Sequence, residues 1–252
     1  IDDTSATAEQ LNNVIAKTAT SADFSSINEI TASPAADVIS LYASDIASGL
    51  GEADITLNDT TIDAASLISI NGDTTGDVTI EATTIEGSGD DLETVLTNAD
   101  GGVVAASLED VNATVTSSTG TVDVDQLEDV IDDVIALGDG VVSLDSDVTT
   151  LEGNMAAALA VQTDVADENA NEDILALDFT LTDATVAVAD VATLQGTVTG
   201  AITATITEST GATLTDNNGV SLLTGTGNAF TITITETDDV LDADVLVQLA
   251  AT

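Results

Sequence analysis

Residues 167–178 read DENANEDILALD, with oxygen-bearing side chains at the first, third, fifth, seventh and twelfth places. Hard oxygen donors at such intervals let a loop of about twelve residues wrap a calcium ion. Asp167, Asn169 and Asn171 occupy coordinating places, Asp173 the place that gives its backbone carbonyl, Ile174 the apolar place after it, and Asp178 the closing place. Glu172 stands where a glycine normally permits the sharp turn, and Asp178 is shorter than the usual closing glutamate. The competing arrangement is an exposed acidic helix, whose oxygens spread around its circumference and cannot converge. The expected metal ligands are therefore Asp167, Asn169, Asn171, Asp173 and Asp178, with calcium as the ion.

Other chemistry is hard to build from this inventory. The chain has no histidine to shuttle protons near neutral pH and no cysteine nucleophile. Its one basic side chain, Lys17, lies among polar residues, and no phosphate loop or nucleophile elbow occurs. An enzyme is not expected. Further acidic runs at 89–93, 122–133 and 237–244 read as helix starts, where carboxylates stabilise the helix dipole without a metal.

The net charge of −45 sets the partners. Nucleic acid and anionic membrane surfaces repel such a field. No run reaches the roughly eighteen apolar residues of a membrane span, so no membrane insertion is expected. Repulsion between carboxylates must be quieted from outside, by salt or by bound divalent cations. That points to an extracellular place. Self-association is expected on another ground: each unit cannot bury its apolar strand face alone, so neighbours along the chain or in another copy complete the core. The chain opens at Ile1 with neither methionine nor signal peptide, as expected of a processed product or a slice of something longer.

The elements that must position these carboxylates are short. Val, Ile, Leu and Ala dominate the apolar residues, with Phe24, Tyr42, Phe179 and Phe230 the aromatics. Such side chains suit thin repeated layers. TAEQLNNVIAKT (7–18) and DAASLISINGDT (63–74) begin alike, and DVDQLEDVIDDV (123–134) shares the start; Leu11 to Leu67 is 56 residues and Leu67 to Leu127 is 60. EITASPAADVISLYA (29–43) matches TIEGSGDDLETVLT (84–97), each a β-branched stretch, a tight turn and an Asp-led helix, with Ser33 and Ser88 as N-caps. Alternating strands are expected at 53–63, 77–87, 200–208 and 229–237, with Ile55, Leu57, Val78, Ile80, Ile202, Ile206, Ile232 and Ile234 inward and threonine outward.

The middle third follows another rule. Leu137, Val141, Leu144, Val148, Leu151, Met155 and Ala158 recur at alternating steps of 4 and 3, and the pattern resumes from Ile174 to Val191. Apolar residues at this interval argue for helices packed along a seam, although Gly138, Gly140 and Gly153 interrupt it. More short strand–helix units are the competing reading.

Several stretches resemble the repeats of very large cell-surface and secreted proteins of marine cyanobacteria, among them a swimming-associated protein and adhesin-like relatives. They are 29–76, ATTIEGSGDDLETVL (82–96), VADVATLQGTVTGAITATITE (188–208) and TGTGNAFTITITETD (224–238), about half the chain. The resemblance implies an extracellular, repetitive, calcium-rich structural layer or fibre, and brings no catalytic residues.

The combined expectation is a mainly β chain with short helices. It would be an elongated tandem repeat, β-solenoid-like or built of stacked small strand–helix units, with a heptad helical segment in the middle third. Its segments would be repeat units at 1–62 and 63–122, an acidic heptad-like or degenerate segment at 123–199, and a Thr/Ile-rich β unit at 200–252. The expected role is structural, as part of a cell-surface layer, fibre or filament. The alternative is an adhesive or receptor-binding fibre module, including a trimeric viral tail-fibre-like stalk through Val141, Leu144, Val148 and Leu151.

Overall fold

The computed structural model describes residues 3–97, 102–104, 107–207, 214, 223 and 227–233. Two compact units comprise Ile1–Thr116 with Asp132–Val142, and Ser117–Ile131 with Ser143–Thr252. In chain order come β1 (Ser5–Thr7), α1 (Ala8–Ile15), β2 (Ala22–Asp23), β3 (Glu29–Ser33), α2 (Ala35–Tyr42), β4 (Ala47–Ser48), β5 (Asp54–Leu57), β6 (Thr61–Asp63), α3 (Ala64–Asp73), β7 (Val78–Ile80), β8 (Thr84–Gly87), α4 (Gly89–Leu96) and β9 (Asn112–Val115). There follow β10 (Thr121–Asp123), α5 (Val124–Leu137), β11 (Val142–Leu144), β12 (Thr150–Gly153), α6 (Met155–Ala166), a 3-10 turn (Glu172–Ala176), β13 (Asp178–Leu181), α7 (Val188–Leu194), β14 (Ile202–Ile206) and β15 (Ala229–Ile232).

The strands form four parallel sheets, ordered β1-β3-β5-β7, β2-β4, β6-β8-β9-β11 and β10-β12-β13-β14-β15. Ile30 sits opposite Ile55 and Ile55 opposite Val78, steps of 25 and 23 residues. In the five-stranded sheet Val122, Leu151 and Phe179 are successive partners, at steps of 29 and 28. Leu11 and Leu67, 56 residues apart, lie on α1 and α3 with α2 between them, so that interval spans two such steps.

The expectation of a mainly β, elongated tandem-repeat chain is overturned. The fold is α/β, with seven α-helices among the described residues and parallel sheets. Val and Thr lower intrinsic helix propensity, but packing decides here. Ala35, Val38 and Leu41 on α2, Ala64, Leu67 and Ile70 on α3, and Val188, Val191 and Leu194 on α7 are all buried. This three-residue spacing gives each helix one apolar stripe to bury. The helix starts are capped as well: Thr7 and Gln10 form a reciprocal capping box on α1, and Asp63 and Asn154 accept amides at the starts of α3 and α6.

Two of the long strands divide. Residues 53–63 hold β5 and β6, which belong to different sheets, and 77–87 divide likewise into β7 and β8. At the breaks the backbone still bonds to the neighbouring step, Asn58 N–H to the Ser33 carbonyl (3.2 Å) and Glu81 N–H to the Leu57 carbonyl (2.9 Å). Within the strands the alternation holds: Ile55, Leu57, Val78, Ile80, Ile202 and Ile206 are buried. Ile232 is half-buried, and Ile234 lies outside the described residues.

The heptad helix is also corrected. Leu137 ends α5, Leu144 lies in β11, Leu151 in β12, and a helix resumes only at Met155. Val142, not Val141, is buried, so the apolar period there belongs to a strand and its flanking turns. A trimer seam through Val141, Leu144, Val148 and Leu151 has no helix to carry it.

Glycine explains the interruption. Gly76, Gly140 and Gly200 each stand two residues before the inward residue that opens a strand, at Val78, Val142 and Ile202. At all three a Cβ would collide with a backbone carbonyl oxygen of the preceding step, that of Ala53, Val111 and Leu177 respectively. Gly140→Ala is expected to destabilise the fold by about 1–3 kcal/mol through this overpacking, read as a lower urea midpoint with an unchanged slope; an unshifted midpoint would contradict the close approach.

Tyr42, the only tyrosine, donates its hydroxyl to the Leu50 carbonyl at 2.9 Å. Burial pushes its phenol above the ordinary value; a hydrogen bond with the Thr74 side chain opposes the shift and the Asp73 charge adds to it. A raised folded-state pKa means stability fully present below the unfolded value of about 10 and lost as pH rises through the folded one. Ultraviolet titration should show one tyrosinate forming later than in the unfolded chain. Tyr42→Phe should remove that alkaline component.

Candidate functional site

Aspartate and asparagine side chains carry much of the hydrogen bonding between successive steps. Asp59 accepts the Ala35 amide at 2.7 Å and Asp183 the Met155 amide at 2.7 Å, each serving the first turn of a helix in the preceding step. Asp54 accepts from the Asp77 amide (2.9 Å), Asn112 from Val141 (2.9 Å), Asp178 from Ala201 (2.8 Å) and Asn228 from Ile202 (2.7 Å). Asp110, held at φ +59°, accepts from the Asp139 amide at 2.8 Å. The bonds to aspartate are charge-assisted and stronger than the neutral ones to asparagine. Locally, the Ser25 amide and hydroxyl hold the exposed Asp23 carboxyl below its usual range.

Ser88 caps α4 as the sequence indicated, accepting the Asp91 amide. Ser33 does not cap α2, whose N-cap is Pro34. Its hydroxyl accepts the Ala8 amide of α1 at 2.9 Å, a bond across 25 residues that no local motif reveals.

The parallel register also sets carboxylates beside carboxylates. Glu29 is opposite Asp54, and the Ile55–Val78 pairing places Asp54 beside Asp77. Asp63 is opposite Glu86, and Asp123 opposite Glu152. All seven are exposed. Neighbouring strands lie about 4.8 Å apart, and like charges directly opposite are destabilising. These columns were missed in the sequence, although two signals mark them. An acid–apolar–Thr–apolar run recurs as EITA at 29, DITL at 54 and DVTI at 77, and a Thr–apolar–acid run as TID at 61, TIE at 84, TVD at 121 and TLE at 150.

The five residues expected to hold calcium fall on successive local elements. Asp167 is the C-cap of α6, and Glu168 beyond it has φ +66°. Asn171 caps the 3-10 turn by accepting the Asp173 amide at 2.9 Å. Asp178 opens β13 with its carboxylate on the Ala201 amide. Asn171 and Asp173 are thus brought together, while Asn169 is half-buried beside the buried Ala170. Among the described residues no three histidine, cysteine, aspartate or glutamate side chains gather as a metal group. The segment is not an exposed acidic helix, since Ile174 is buried and a strand follows. The run at 237–244 lies outside the described residues.

Asn171 and Asp173 instead line a cleft of about 270 Å³ in the second unit, with Ser143, Leu144, Asp145, Ser146, Val148, Ile174 and Leu177. Asp145 accepts the Asp147 amide (3.0 Å) and the Ser146 hydroxyl (3.2 Å). Hydroxyls and carboxylates of this kind can hold water or a weakly bound cation.

Glu86→Gln keeps the side-chain shape and removes one like charge facing Asp63. Its melting temperature should rise by about 1–4 °C at low salt, and the gain should vanish near 1 M salt, where the screening length is about 3 Å. No gain at low salt would mean the column is not strained by charge.

No protein-family model, curated protein or solved structure matches this chain.

Proposed function

We propose that this chain is a structural component of an extracellular surface layer, fibre or filament, stabilised by cations and able to associate with itself. The observation that carries the reading is the set of carboxylate columns Glu29–Asp54–Asp77, Asp63–Glu86 and Asp123–Glu152, in a chain with 46 acids and one basic side chain. A column of exposed like charges is costly in dilute buffer and becomes tolerable where divalent cations are abundant, as outside cells. The side-chain inventory agrees: without histidine or cysteine, the chain's reactive groups are carboxylates, hydroxyls and the single Lys17 amine. The cations would be held by shared negative field and by pairs of carboxylates, which suits calcium or magnesium over softer metals.

No helix among the described residues is long and apolar enough to cross a membrane.

A thermal melt at fixed ionic strength, with calcium or with sodium chloride alone, tests the reading. The expected result is a midpoint several degrees higher in calcium, reversed by chelator. Equal protection by every salt would reduce the cation's part to screening. An unchanged fold in dilute, chelator-treated buffer would remove the need for cations altogether.

A further inference from the structure

Tyr42 is the last residue of α2, and Asp73 is the last residue of α3. Both line a cavity of about 170 Å³ in the first unit. A helix C-terminus carries partial negative charge, which a basic side chain in the last turn would offset. Neither helix has one. The exposed Asp73 adds a full negative charge at the same place, and that charge acts on the Tyr42 phenol. Two helix ends and a carboxylate therefore attract a cation to this cavity.

The walls decide which kind of cation fits. Leu41 and Leu50, both buried, line the cavity beside Tyr42. The polar groups around them already have partners. The Tyr42 hydroxyl donates to the Leu50 carbonyl at 2.9 Å, and the Ser48 hydroxyl to the Ala22 carbonyl at 3.2 Å. The Gly51 carbonyl accepts the Thr75 amide at 2.8 Å and the Thr75 hydroxyl at 3.1 Å. A calcium ion would need several oxygen ligands, and a primary ammonium brings three donors to satisfy. A methylated ammonium asks for neither. Its charge is attracted by an aromatic ring and a carboxylate, while its methyl groups suit apolar walls.

We infer that this cavity binds a small methylated ammonium ion that carries no anionic group. A carboxylate or phosphate on the same ligand would face Asp73 and the field of a chain with net charge −45. Gly51 lines the cavity without a side chain, and a Cβ there would meet nothing within 4 Å, so a larger residue at this position has room to occupy the ligand's space. The inference goes beyond the structural role and does not depend on it.

With one tyrosine and no tryptophan in the chain, intrinsic fluorescence reports on this cavity directly. The intact protein is titrated with choline chloride, with sodium chloride holding the ionic strength at about 0.15 M. The comparison ligands are the neutral isostere of choline, with carbon in place of nitrogen, and glycine betaine. The comparison proteins are Asp73→Asn and Gly51→Leu, each checked for folding by circular dichroism, with Gly51→Val replacing a Gly51→Leu that does not fold. The expected result is a saturable change with choline and an affinity about tenfold weaker for the isostere. Betaine should bind more weakly than choline, Asp73→Asn should weaken choline about threefold or more, and the Gly51 variant should lose it. No saturable change in the wild type would overturn the site. Equal affinity for the isostere would overturn the cationic ligand, and equal affinity for betaine the exclusion of anionic groups. A choline affinity unchanged by either substitution would overturn the assignment to this cavity.

Discussion

The fold depends on satisfying backbone donors between very short strands. A strand of three to five residues, such as β1 or β14, offers few ladder bonds to its neighbour. An amide left unpaired away from water is expensive, by about 1–3 kcal/mol, and this bears most on the part-buried Ala35 and Met155 amides. Aspartate and asparagine supply the missing acceptors at the strand starts and helix starts, as Asp54, Asp59, Asn112, Asp178 and Asp183 do. Part of the chain's acidity is therefore internal architecture. Carboxylates also stand beside one another on the parallel register, and Asp54 and Asp63 serve in both ways.

The same constraint explains the core. Small side chains at the helix starts, Ala8, Ala35, Ala64 and Gly89, let each helix follow its strand within one or two residues. Glycines at 76, 140 and 200 let one step's backbone approach the carbonyl of the step before. Leucine, isoleucine and valine then fill the space between helix and sheet, with Phe24 and Phe179 the largest fully buried side chains. A bulkier, aromatic core would force the layers apart and break the amide–carboxylate bonds.

Much of this was legible locally. Period-two alternation placed Ile55, Leu57, Val78 and Ile80 inward, and Ser88 was found as a cap because its partner Asp91 is three residues away. What escaped was non-local. Ser33 has a typical cap position and serves a different helix, because its partner is 25 residues back. The spacing from Leu137 to Met155 fits a coiled-coil seam, yet Gly140 against Val111 forces a strand, and nothing nearby in sequence announces that contact. The oxygens of residues 167–178 have the spacing of a metal loop, but Asp178 is claimed by Ala201, 23 residues on. Composition gave the charge, while register decided which charges meet.

Backbone amide hydrogen exchange in the intact protein tests the central claim most directly. If carboxylates bind these amides across steps, Ala35, Asp77, Met155 and Ala201 should exchange as slowly as the ladder amides of Ile55 and Phe179. Exchange at free-peptide rates at those four positions, with Ile55 and Phe179 still protected, would contradict the account.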